Sequence, residues 1–383
     1  MARFAIDVTA CWRPQRVGML TVAVELARAL VAGRGDDQFT LLCSRERPPA
    51  LADLDCEAVL SPHRHEVVQK MLWLPTIEPQ LGCDAILYPY WPSPPARRPN
   101  APPAVIFVHD LAFKLRPKEV PWQQRLYMGT VLGRSLREAA AVLVPSEATR
   151  RDLLACYPIA GLGSKVHLVP EGVSPEVPAG PLPHRLAPGF ILAVGTIEPR
   201  KNYLRLLAAY RHLRRESVPL LLGDQPGVPE LVIAGRPGWA YGDTLERIKT
   251  ERGVRYLGHV DDATLSALYR AASMLALPSL YEGFGLPLLE AMAHGLPAVV
   301  GNVGALPELA DGAAILVDPE DVGSIAAGLE RLLDDASLRE KLGAAGKQRA
   351  AEFTWERAAA ATREVLRGVV APEARTPAGR TIS

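Results

Sequence analysis

Two glutamates, Glu282 and Glu290, stand in the stretch of the chain whose residue types are best suited to chemistry. An apolar run typical of a buried parallel strand precedes them, and two glycines, Gly283 and Gly285, separate the first glutamate from a proline. Proline is well tolerated in the first turn of a helix, so we predict a helix that begins near Leu286. The stretch therefore predicts a strand, a glycine-rich turn and a short helix.

The start of this predicted helix suits an anionic or hydroxyl-rich ligand. The backbone amides of Phe284, Gly285 and Leu286 have no partner inside the helix and lie at the positive end of its dipole. Helical side chains lean towards the N-terminus, so Glu290 can reach the same crevice, which Glu282 enters from the turn. Either glutamate alone also fits an ordinary acid near a helix start. Together, amides for phosphate or hexose oxygens and carboxylates for vicinal hydroxyls are typical of a sugar-nucleotide site.

Two cations follow another apolar strand at the start of the second half of the chain. The run 190–194 ends at Gly195, and a turn leads through Arg200 and Lys201 into a predicted helix. Adjacent positive charges at the carboxyl end of a strand suit a diphosphate, because they offset the charge that develops on a leaving group. An isolated pair of this kind is more often ordinary surface charge than a ligand site.

The first half of the chain contributes fewer polar residues at predicted strand ends. His109 and Asp110 directly follow the run 105–108, at the edge where open α/β sheets place their ligands, although a histidine there can also be structural. Gly18 precedes the first predicted helix, whose amides can hold a phosphate or an acceptor, and a plain loop glycine fits as well.

The segment Glu282 to Pro287, with its second glutamate at 290, resembles the E-x7-E signature of the retaining GT-B glycosyltransferases of family four, also called group 1. The resemblance covers nearly the whole chain. It implies an α/β fold with two Rossmann-like parallel-sheet domains that face a cleft, and a C-terminal helix that crosses back to the first domain. The expected divisions are a first domain at 1–182 with its crossover helix at 356–371, a nucleotide-sugar domain at 183–355 and a disordered tail at 372–383.

The resemblance also implies roles for the residues above. His109 would lie beside the donor hexose, Glu282 would hold hexose hydroxyls, Arg200 and Lys201 would grip the diphosphate, and Glu290 would hold the ribose. Accordingly, the residues assigned to catalysis are His109, Glu282, Lys201 and Arg200. Those assigned to donor binding are Gly18, Asp110, Gly195, Phe284, Gly285, Leu286 and Glu290.

Three further points follow from the resemblance. Asp110 is expected to orient His109 or to contact the acceptor. The chain departs from the family pattern at Glu171, where an asparagine is usual before the glycine of a strand-end turn. Gly304 and Glu308, in the turn after the glutamate motif, are expected to be packing and capping residues.

The composition argues against several classes of protein. The chain has 383 residues, enough for two domains, and its 43 basic and 42 acidic residues give a net charge of +1, which disfavours nucleic acid as a partner. No G-x-G-x-x-G opens either half, so an oxidoreductase is disfavoured. The only D-x-D triplet, at 53–55, falls in a predicted loop of the wrong domain, and we expect neither a metal nor a cofactor.

The sequence also bears on localisation. It has no apolar run of about eighteen residues, no signal peptide and no C-x-x-C pair among five cysteines, so we expect a cytoplasmic protein with reduced thiols. Between 114 and 151 there are eight basic residues against three acidic ones. We favour a solvated helix face for this segment, and the alternative is peripheral contact with the inner face of an anionic membrane.

These features predict a glycosyltransferase that moves a hexose from a nucleoside-diphosphate sugar to a saccharide or lipid-linked acceptor, in surface polysaccharide or glycolipid synthesis. GDP-mannose is the first choice of donor, because the H-D-L, E-P-R-K-N and E-G-F-G-L-P combination resembles bacterial mannosyl- and rhamnosyltransferases, and UDP-hexoses stay open. One alternative is an NDP-sugar epimerase of GT-B fold, which needs additional acid-base carboxylates. The other is a catalytically silent sugar-nucleotide-binding protein.

Overall fold

A computed structural model describes residues 1–12, 18–90, 92–174, 177–216 and 228–370. The described chain forms two parallel β-sheets with helices on both faces, which confirms the predicted α/β architecture. The boundary predicted between 182 and 183 stays a prediction, and the tail predicted at 372–383 lies outside the described residues.

The first sheet contains seven parallel strands in the order β3-β2-β1-β4-β5-β6-β7. Its strands are β1 (Arg3–Asp7), β2 (Gln38–Cys43), β3 (Glu57–Leu60), β4 (Ala85–Tyr88), β5 (Ala104–Phe107), β6 (Ala141–Val144) and β7 (Val166–Leu168). The second sheet contains six strands in the order β10-β9-β8-β11-β12-β13. They are β8 (Ile191–Val194), β9 (Leu231–Ala234), β10 (Val254–Gly258), β11 (Met274–Leu277), β12 (Ala298–Gly301) and β13 (Ile315–Val317).

Helices connect the strands. In the first half they are α1 (Met19–Ala32), α2 (Glu66–Val68), α3 (Leu74–Ile77), α4 (Ala112–Leu115), α5 (Trp122–Glu138), α6 (Glu147–Cys156) and α7 (Leu162–Lys165). In the second half they are α8 (Tyr203–Glu216), α9 (Gly242–Thr250), α10 (Asp262–Ala271), α11 (Leu286–Ala293), α12 (Leu306–Ala310), α13 (Val322–Asp334), α14 (Ala336–Ala350) and α15 (Trp355–Val370). Short 3₁₀ turns occupy Pro49–Leu51, Glu78–Gln80, Pro117–Glu119 and Pro199–Lys201, and a π-helical turn occupies Gln69–Trp73.

Successive side chains of a strand point to opposite faces of its sheet, so the core of each domain is divided between the two faces. Phe4 and Ile6 belong to one apolar cluster of the first domain, whereas Ala5 between them belongs to the other. In the second domain, Ile191 and Leu192 are divided in the same way. Because helices cover both faces, central strands such as β4, β5 and β11 are buried along their whole length.

The last described helix returns to the first domain, as the resemblance implied. Helix α15 packs against α1, and its Trp355, Ala358 and Leu366 are part of a core cluster of the first sheet. The strand β3 and the helical segment between 66 and 80 were not predicted, because both lack a clear apolar period. No helix in the described ranges combines the length and the apolar character that crossing a bilayer requires.

Candidate active site

The turns that carry the predicted hexose and diphosphate residues lie side by side because their strands are neighbours. Strand β8 pairs with β11, so both turns open at one edge of the second sheet. Asn202 joins them: its side-chain amide donates to the carbonyl of Pro278 at 2.9 Å, and its φ of +62° lies in the left-handed region that asparagine tolerates. The N–H of Leu280 also donates to the carbonyl of Arg200, at 2.7 Å.

The glycine turn leads into a helix whose first residue is Leu286, where the sequence predicted it. Gly285 has a φ of +112°, a conformation that side chains rarely adopt, and a Cβ there would press against Leu306. Within the described chain, the amides of Phe284, Gly285 and Leu286 donate no backbone hydrogen bond. The start of α11 therefore presents N–H groups that an anionic or hydroxyl-bearing ligand can accept.

Glu282 lies buried between the two predicted cations. Its Oε1 accepts from Lys201 Nζ at 2.6 Å and from the Ser279 hydroxyl at 2.7 Å, and its Oε2 accepts from Arg200 Nη1 at 2.7 Å. Burial alone would raise the pKa of this carboxyl, but Lys201 and Arg200 lower the pKa to about 2. The side chain is therefore a carboxylate with fixed charge.

A second carboxylate, Glu198, completes a cluster of four charges, in which Glu198, Lys201 and Glu282 are buried and Arg200 is partly exposed. Its Oε1 lies 2.5 Å from Arg200 Nε. Burial raises the pKa of Glu198 above its usual value, and the charges of Arg200 and Lys201 act in the opposite direction. The pKa of Arg200 is raised by Glu282 and Glu198, although burial alone would lower it. A diphosphate that enters this cluster has to compete with two carboxylates for the same two cations.

Glu290 lies one turn into α11, in a different environment. Its Oε2 accepts a hydrogen bond from the Tyr269 hydroxyl at 2.7 Å. Burial raises the pKa of Glu290 to about 7; the Tyr269 hydrogen bond opposes the rise, Asp262 adds to it, and Lys201 opposes it. Near neutral pH this carboxyl therefore populates both its protonated and its ionised form.

The turn that follows Glu282 touches the first domain directly. The carbonyl of Gly283 accepts from the Ser146 hydroxyl at 2.7 Å and from the Thr149 hydroxyl at 3.0 Å. A Cβ at Gly283 would overlap the carbonyl oxygen of His109. The missing side chain at this glycine thus allows the backbone of the two domains to meet beside Glu282.

His109 has both ring nitrogens against oxygen atoms of the protein. Nδ1 lies 2.9 Å from Glu171 Oε1, and Nε2 lies 2.7 Å from the carbonyl oxygen of Pro89. The ring also stacks on Phe107, with 4.4 Å between ring centroids. A carbonyl cannot donate a hydrogen bond, so the geometry assigns a proton to Nε2.

Asp110 does not orient His109, which corrects one of the two roles expected for it. Its Oδ1 accepts from the N–H of Ala112 at 3.0 Å, because the carboxylate closes a turn into α4. Asp110 does line a mostly apolar cavity of about 140 Å³ together with His109, Arg200 and Trp239. The cavity therefore opens between residues of both halves of the chain.

The remaining predicted donor residues occupy different places. Gly18 is exposed at the start of α1, and the next residue, Met19, lines the cavity beside His109 and Arg200. Gly195 faces the cluster, since a Cβ there would contact the Lys201 side chain. The ring of Phe284 is buried in the core of the second domain, and Leu286 packs on core clusters of both domains. The side chain of Phe284 is therefore unavailable to a ligand, whereas that of Leu286 is only partly buried.

Sequence reasoning missed four residues of the site: Glu171, Glu198, Tyr269 and Ser279. Glu171 carried a signal, since it departs from the family pattern, and Ser279 stands three positions before Glu282. Glu198 lies in the turn that leads to Arg200, and Tyr269 lies in a helix with no motif residue beside it. Their contacts depend on the packing of segments that are distant in sequence.

Two Rossmann-like domains that meet at a cleft, with a cation pair, a glycine turn and two glutamates at its edge, define a GT-B glycosyltransferase. Comparison with known families agrees with this class. Residues 181–349 match the family model "Glycosyl transferases group 1", and residues 17–177 match "Glycosyltransferase Family 4". The chain belongs to the group 1 glycosyltransferases of family 4.

Relatives of known name include two mannosyltransferases. The chain is 37% identical over 263 residues to the O-antigen chain mannosyltransferase B of Escherichia coli, covering 66% of this chain and 67% of that one. It is 35% identical over 249 residues to the MMP alpha-(1->4)-mannosyltransferase of Mycolicibacterium hassiacum, covering 62% of this chain and 56% of that one. The alignments thus span about two thirds of the first relative and about half of the second.

Solved structures share the fold at low sequence identity. Sucrose-phosphate synthase from Thermosynechococcus elongatus superposes with a TM-score of 0.73 and 19% identity, over 97% of this chain and 100% of that one. HepE of Anabaena, in complex with UDP and glucose, superposes with a TM-score of 0.70 and 17% identity, over 96% and 100%. These likenesses show the two-domain architecture.

Proposed function

We propose that the chain is a retaining glycosyltransferase that takes a hexose from a nucleoside-diphosphate sugar, with GDP-mannose as the first choice of donor. One observation carries the proposal: Arg200 and Lys201 lie within hydrogen-bond distance of Glu282, at the sheet edge where α11 begins and where Glu290 lies one turn further on. The two mannosyltransferase relatives support mannose as the hexose. Family membership supports retention of the anomeric configuration.

The proposed donor contacts follow from the charges. Arg200 and Lys201 bind the diphosphate and exchange the Glu282 carboxylate for phosphate oxygens, which releases Glu282 to accept hexose hydroxyls. The free amides at 284–286 add hydrogen bonds at the positive end of α11. Glu290 accepts hydrogen bonds from the ribose.

In the proposed reaction, the acceptor hydroxyl oxygen bonds to the anomeric carbon as the bond from that carbon to a diphosphate oxygen breaks. The hydroxyl proton passes to the departing diphosphate on the same face of the sugar, so the configuration is retained and no nucleophilic side chain is required. Arg200 and Lys201 offset the negative charge on the leaving group. Contact of Gly283 with His109 closes the cleft against water.

The direct test is donor turnover. The purified protein is incubated with GDP-mannose, GDP-rhamnose, UDP-glucose and UDP-galactose in the presence of oligosaccharide and polyprenyl-linked acceptors, and the released nucleoside diphosphate is measured. We expect GDP from GDP-mannose, and an α-linked product by NMR. A Lys201→Met variant is the matched control and should release none. Failure to release nucleoside diphosphate from any donor with any acceptor would overturn the proposal.

The same assay separates the two alternatives. An epimerase would exchange the C2 hydrogen of the donor sugar with deuterated solvent. A silent binding protein would bind the donor tightly without turnover. Epimerisation is not expected, because the carboxylates of the charge cluster are paired with cations at the proposed diphosphate end of the site and leave no free acid-base pair there.

For the acceptor we propose a lipid-linked saccharide that is met at a membrane surface on the cytoplasmic side. Helix α5 places Met128 and Leu132 on the apolar cavity beside His109, whereas its Trp122 and Leu126 are 66% and 62% exposed. The segment 114–151 that contains this helix is basic. Exposed apolar side chains among basic residues are typical of a surface that rests on anionic lipid.

This part of the proposal is tested with vesicles. Sedimentation with vesicles that contain about one third anionic phospholipid should capture the protein at low salt. The double variant Trp122→Ser with Leu126→Ser should lose capture, and the control Leu204→Ser with Leu316→Ser, exposed apolar residues of the second domain, should retain it. Equal capture of both double variants would contradict the assignment of this face.

A further inference from the structure

Tyr269 of α10 is buried beside the cleft, and the proposed reaction assigns it no role. Its side chain is 2% exposed, and its hydroxyl donates to Glu290 Oε2 at 2.7 Å. Among the described residues no other side chain donates a hydrogen bond to this carboxylate. A carboxylate has about four acceptor positions, so a single internal donor leaves the others for a ligand.

Two neighbours fix the Tyr269 ring. The ring of His294 stacks on it with 5.2 Å between centroids and 26° between the planes. His294 is itself fixed, since its Nδ1 lies 2.8 Å from the carbonyl oxygen of Glu290 and its Nε2 lies 3.3 Å from Ser266 Oγ. The hydroxyl of Tyr269 also lies 3.4 Å from the carbonyl oxygen of Pro287. The phenol is therefore held in place before any ligand arrives.

We propose that Tyr269 is a positioning residue for the donor, which holds the Glu290 carboxylate towards the ribose and favours the ionised form that accepts the ribose hydroxyls. The inference rests on the proposed function, because it needs a nucleotide in this site. It goes further, because it makes donor affinity depend on a residue that does not touch the donor.

The charged groups around Glu290 give this role a signature in pH. Tyr269 and Asp262 face it from α10, Lys201 faces it from the turn after β8, and His294 lies on its own helix. Burial raises the pKa of Glu290 to about 7. Because ribose hydroxyls bind the ionised form, nucleotide affinity should rise as the pH rises through 7 and then level off.

Removing the Tyr269 hydroxyl should shift the rise in nucleotide affinity to a higher pH. The hydroxyl stabilises the carboxylate, so its loss raises the pKa of Glu290 further and keeps the group protonated to a higher pH. A residue that served packing alone would, when altered, weaken binding by the same factor at every pH. The pH dependence of the loss therefore distinguishes positioning from packing.

The experiment is calorimetric titration of the full chain with GDP, UDP and 2′-deoxy-GDP at about pH 6, 7 and 8.5. We expect Tyr269→Phe to weaken GDP binding about five- to tenfold near pH 7, the effect of one hydrogen bond to a charged group, and about twofold or less near pH 8.5. It should also reduce the preference for GDP over 2′-deoxy-GDP. Glu290→Gln should bind with no such pH dependence.

The matched control is Tyr210→Phe. Tyr210 is a buried tyrosine of the same domain whose hydroxyl donates to the carbonyls of Pro229 and Gly253 at the opposite end of the sheet. It should bind nucleotide like the unaltered protein at each pH. If the unaltered protein binds neither GDP nor UDP, the proposed function fails. If it binds and Tyr269→Phe changes nothing, or weakens binding equally at every pH, the inference alone is overturned.

Discussion

The loop that carries Glu282 and the helix that carries Glu290 give the same residue type two opposite electrostatic environments. Glu282 is paired with two cations and a hydroxyl, and its pKa falls to about 2. Glu290 has one neutral donor, and burial raises its pKa to about 7. The loop also contacts the first domain through Gly283, whereas the contacts of Glu290 lie within its own domain.

The difference teaches that burial does not fix the ionisation of an acid by itself. Both carboxyls lose water, and the partners decide the outcome: two cations outweigh desolvation, and a single phenol does not. One motif therefore supplies a permanent charge at the proposed diphosphate end of the site and a titrating group at the proposed ribose end.

The largest expected effect comes from Glu282→Gln, which removes the fixed charge. Among the ion pairs of the described chain, Arg200 would keep the one with Glu198 and Lys201 would lose its partner; breaking a buried ion pair costs about 3–5 kcal/mol. We expect a clearly lower melting temperature and a loss of transferase activity of at least about 100-fold. The pKa of Glu282 in the folded protein lies below the ordinary value of 4.5. The stability that its ionised form contributes is therefore present above about pH 4.5 and lost as the pH falls through about 2.

Added nucleoside diphosphate sharpens this prediction. A diphosphate supplies negative charge to the two cations. Its addition should therefore raise the melting temperature of Glu282→Gln more than that of the unaltered protein. An equal shift in both proteins would contradict the view that the carboxylate and the diphosphate compete for Arg200 and Lys201.

Gly283→Ala should impair catalysis at Glu282 without impairing nucleotide binding at Glu290. The added methyl would overlap the carbonyl oxygen of His109, so the two domains could not close beside Glu282. We expect kcat to fall about 100-fold, as for a small misplacement of reacting groups, while nucleotide affinity at the Glu290 end changes little. Gly163→Ala, where a Cβ meets open space, is the control. A loss of nucleotide affinity as large as the loss in kcat would contradict this reading.

Glu290→Gln tests whether ionisation of the second glutamate destabilises the fold, the opposite of what is expected for Glu282. Its folded pKa lies above the ordinary 4.5, so ionisation destabilises the native state, and stability falls as the pH rises from about 4.5 through 7. The glutamine variant cannot ionise and should be more stable than the unaltered protein at pH 8.5, by about 1–3 kcal/mol, and equal to it at pH 4.5. Thermal melting at both values measures this, and an advantage that persists at pH 4.5 would point to packing instead.

The smallest effect is expected for Glu308, which contributes to the contact between the two domains near Glu282 and not to the surroundings of Glu290. Its carboxylate accepts the N–H groups of Glu147 and Ala148, at 2.9 and 3.1 Å, and so caps α6 from the other domain. Glu308→Ala should cost about 1 kcal/mol, the usual value of a helix cap, and lower kcat a few-fold with unchanged nucleotide affinity. Steady-state kinetics beside nucleotide titration checks this, with Glu352→Ala on the adjacent surface as the control.

Local patterns were enough to predict most of the framework. The strand, glycine turn and proline-started helix at 274–293 follow from apolar runs and from the conformations of glycine and proline, and the structure has them at the predicted positions. Capping by Glu308 was expected, but the helix that it caps belongs to the first domain. The sequence identified the residue, and only the packing of the domains identified its partner.

The same limit explains the corrections around His109. The neighbouring Asp110 was expected as its orienter, but that carboxylate accepts from Ala112 N–H, and Glu171 takes the place beside the ring. Sixty-two positions separate Glu171 from His109, and they meet because β7 and β5 flank β6 in the sheet. Sequence spacing carries no information about such a contact.

The return of α15 to the first domain has a consequence for protein synthesis. Trp355, Ala358 and Leu366 fill a core whose other members come from the first part of the chain to be translated. On the ribosome, this core stays open until nearly the whole polypeptide has emerged. Nascent chains that stop before residue 355 would therefore expose an apolar surface that chaperones recognise, even though every strand of their first sheet is already present.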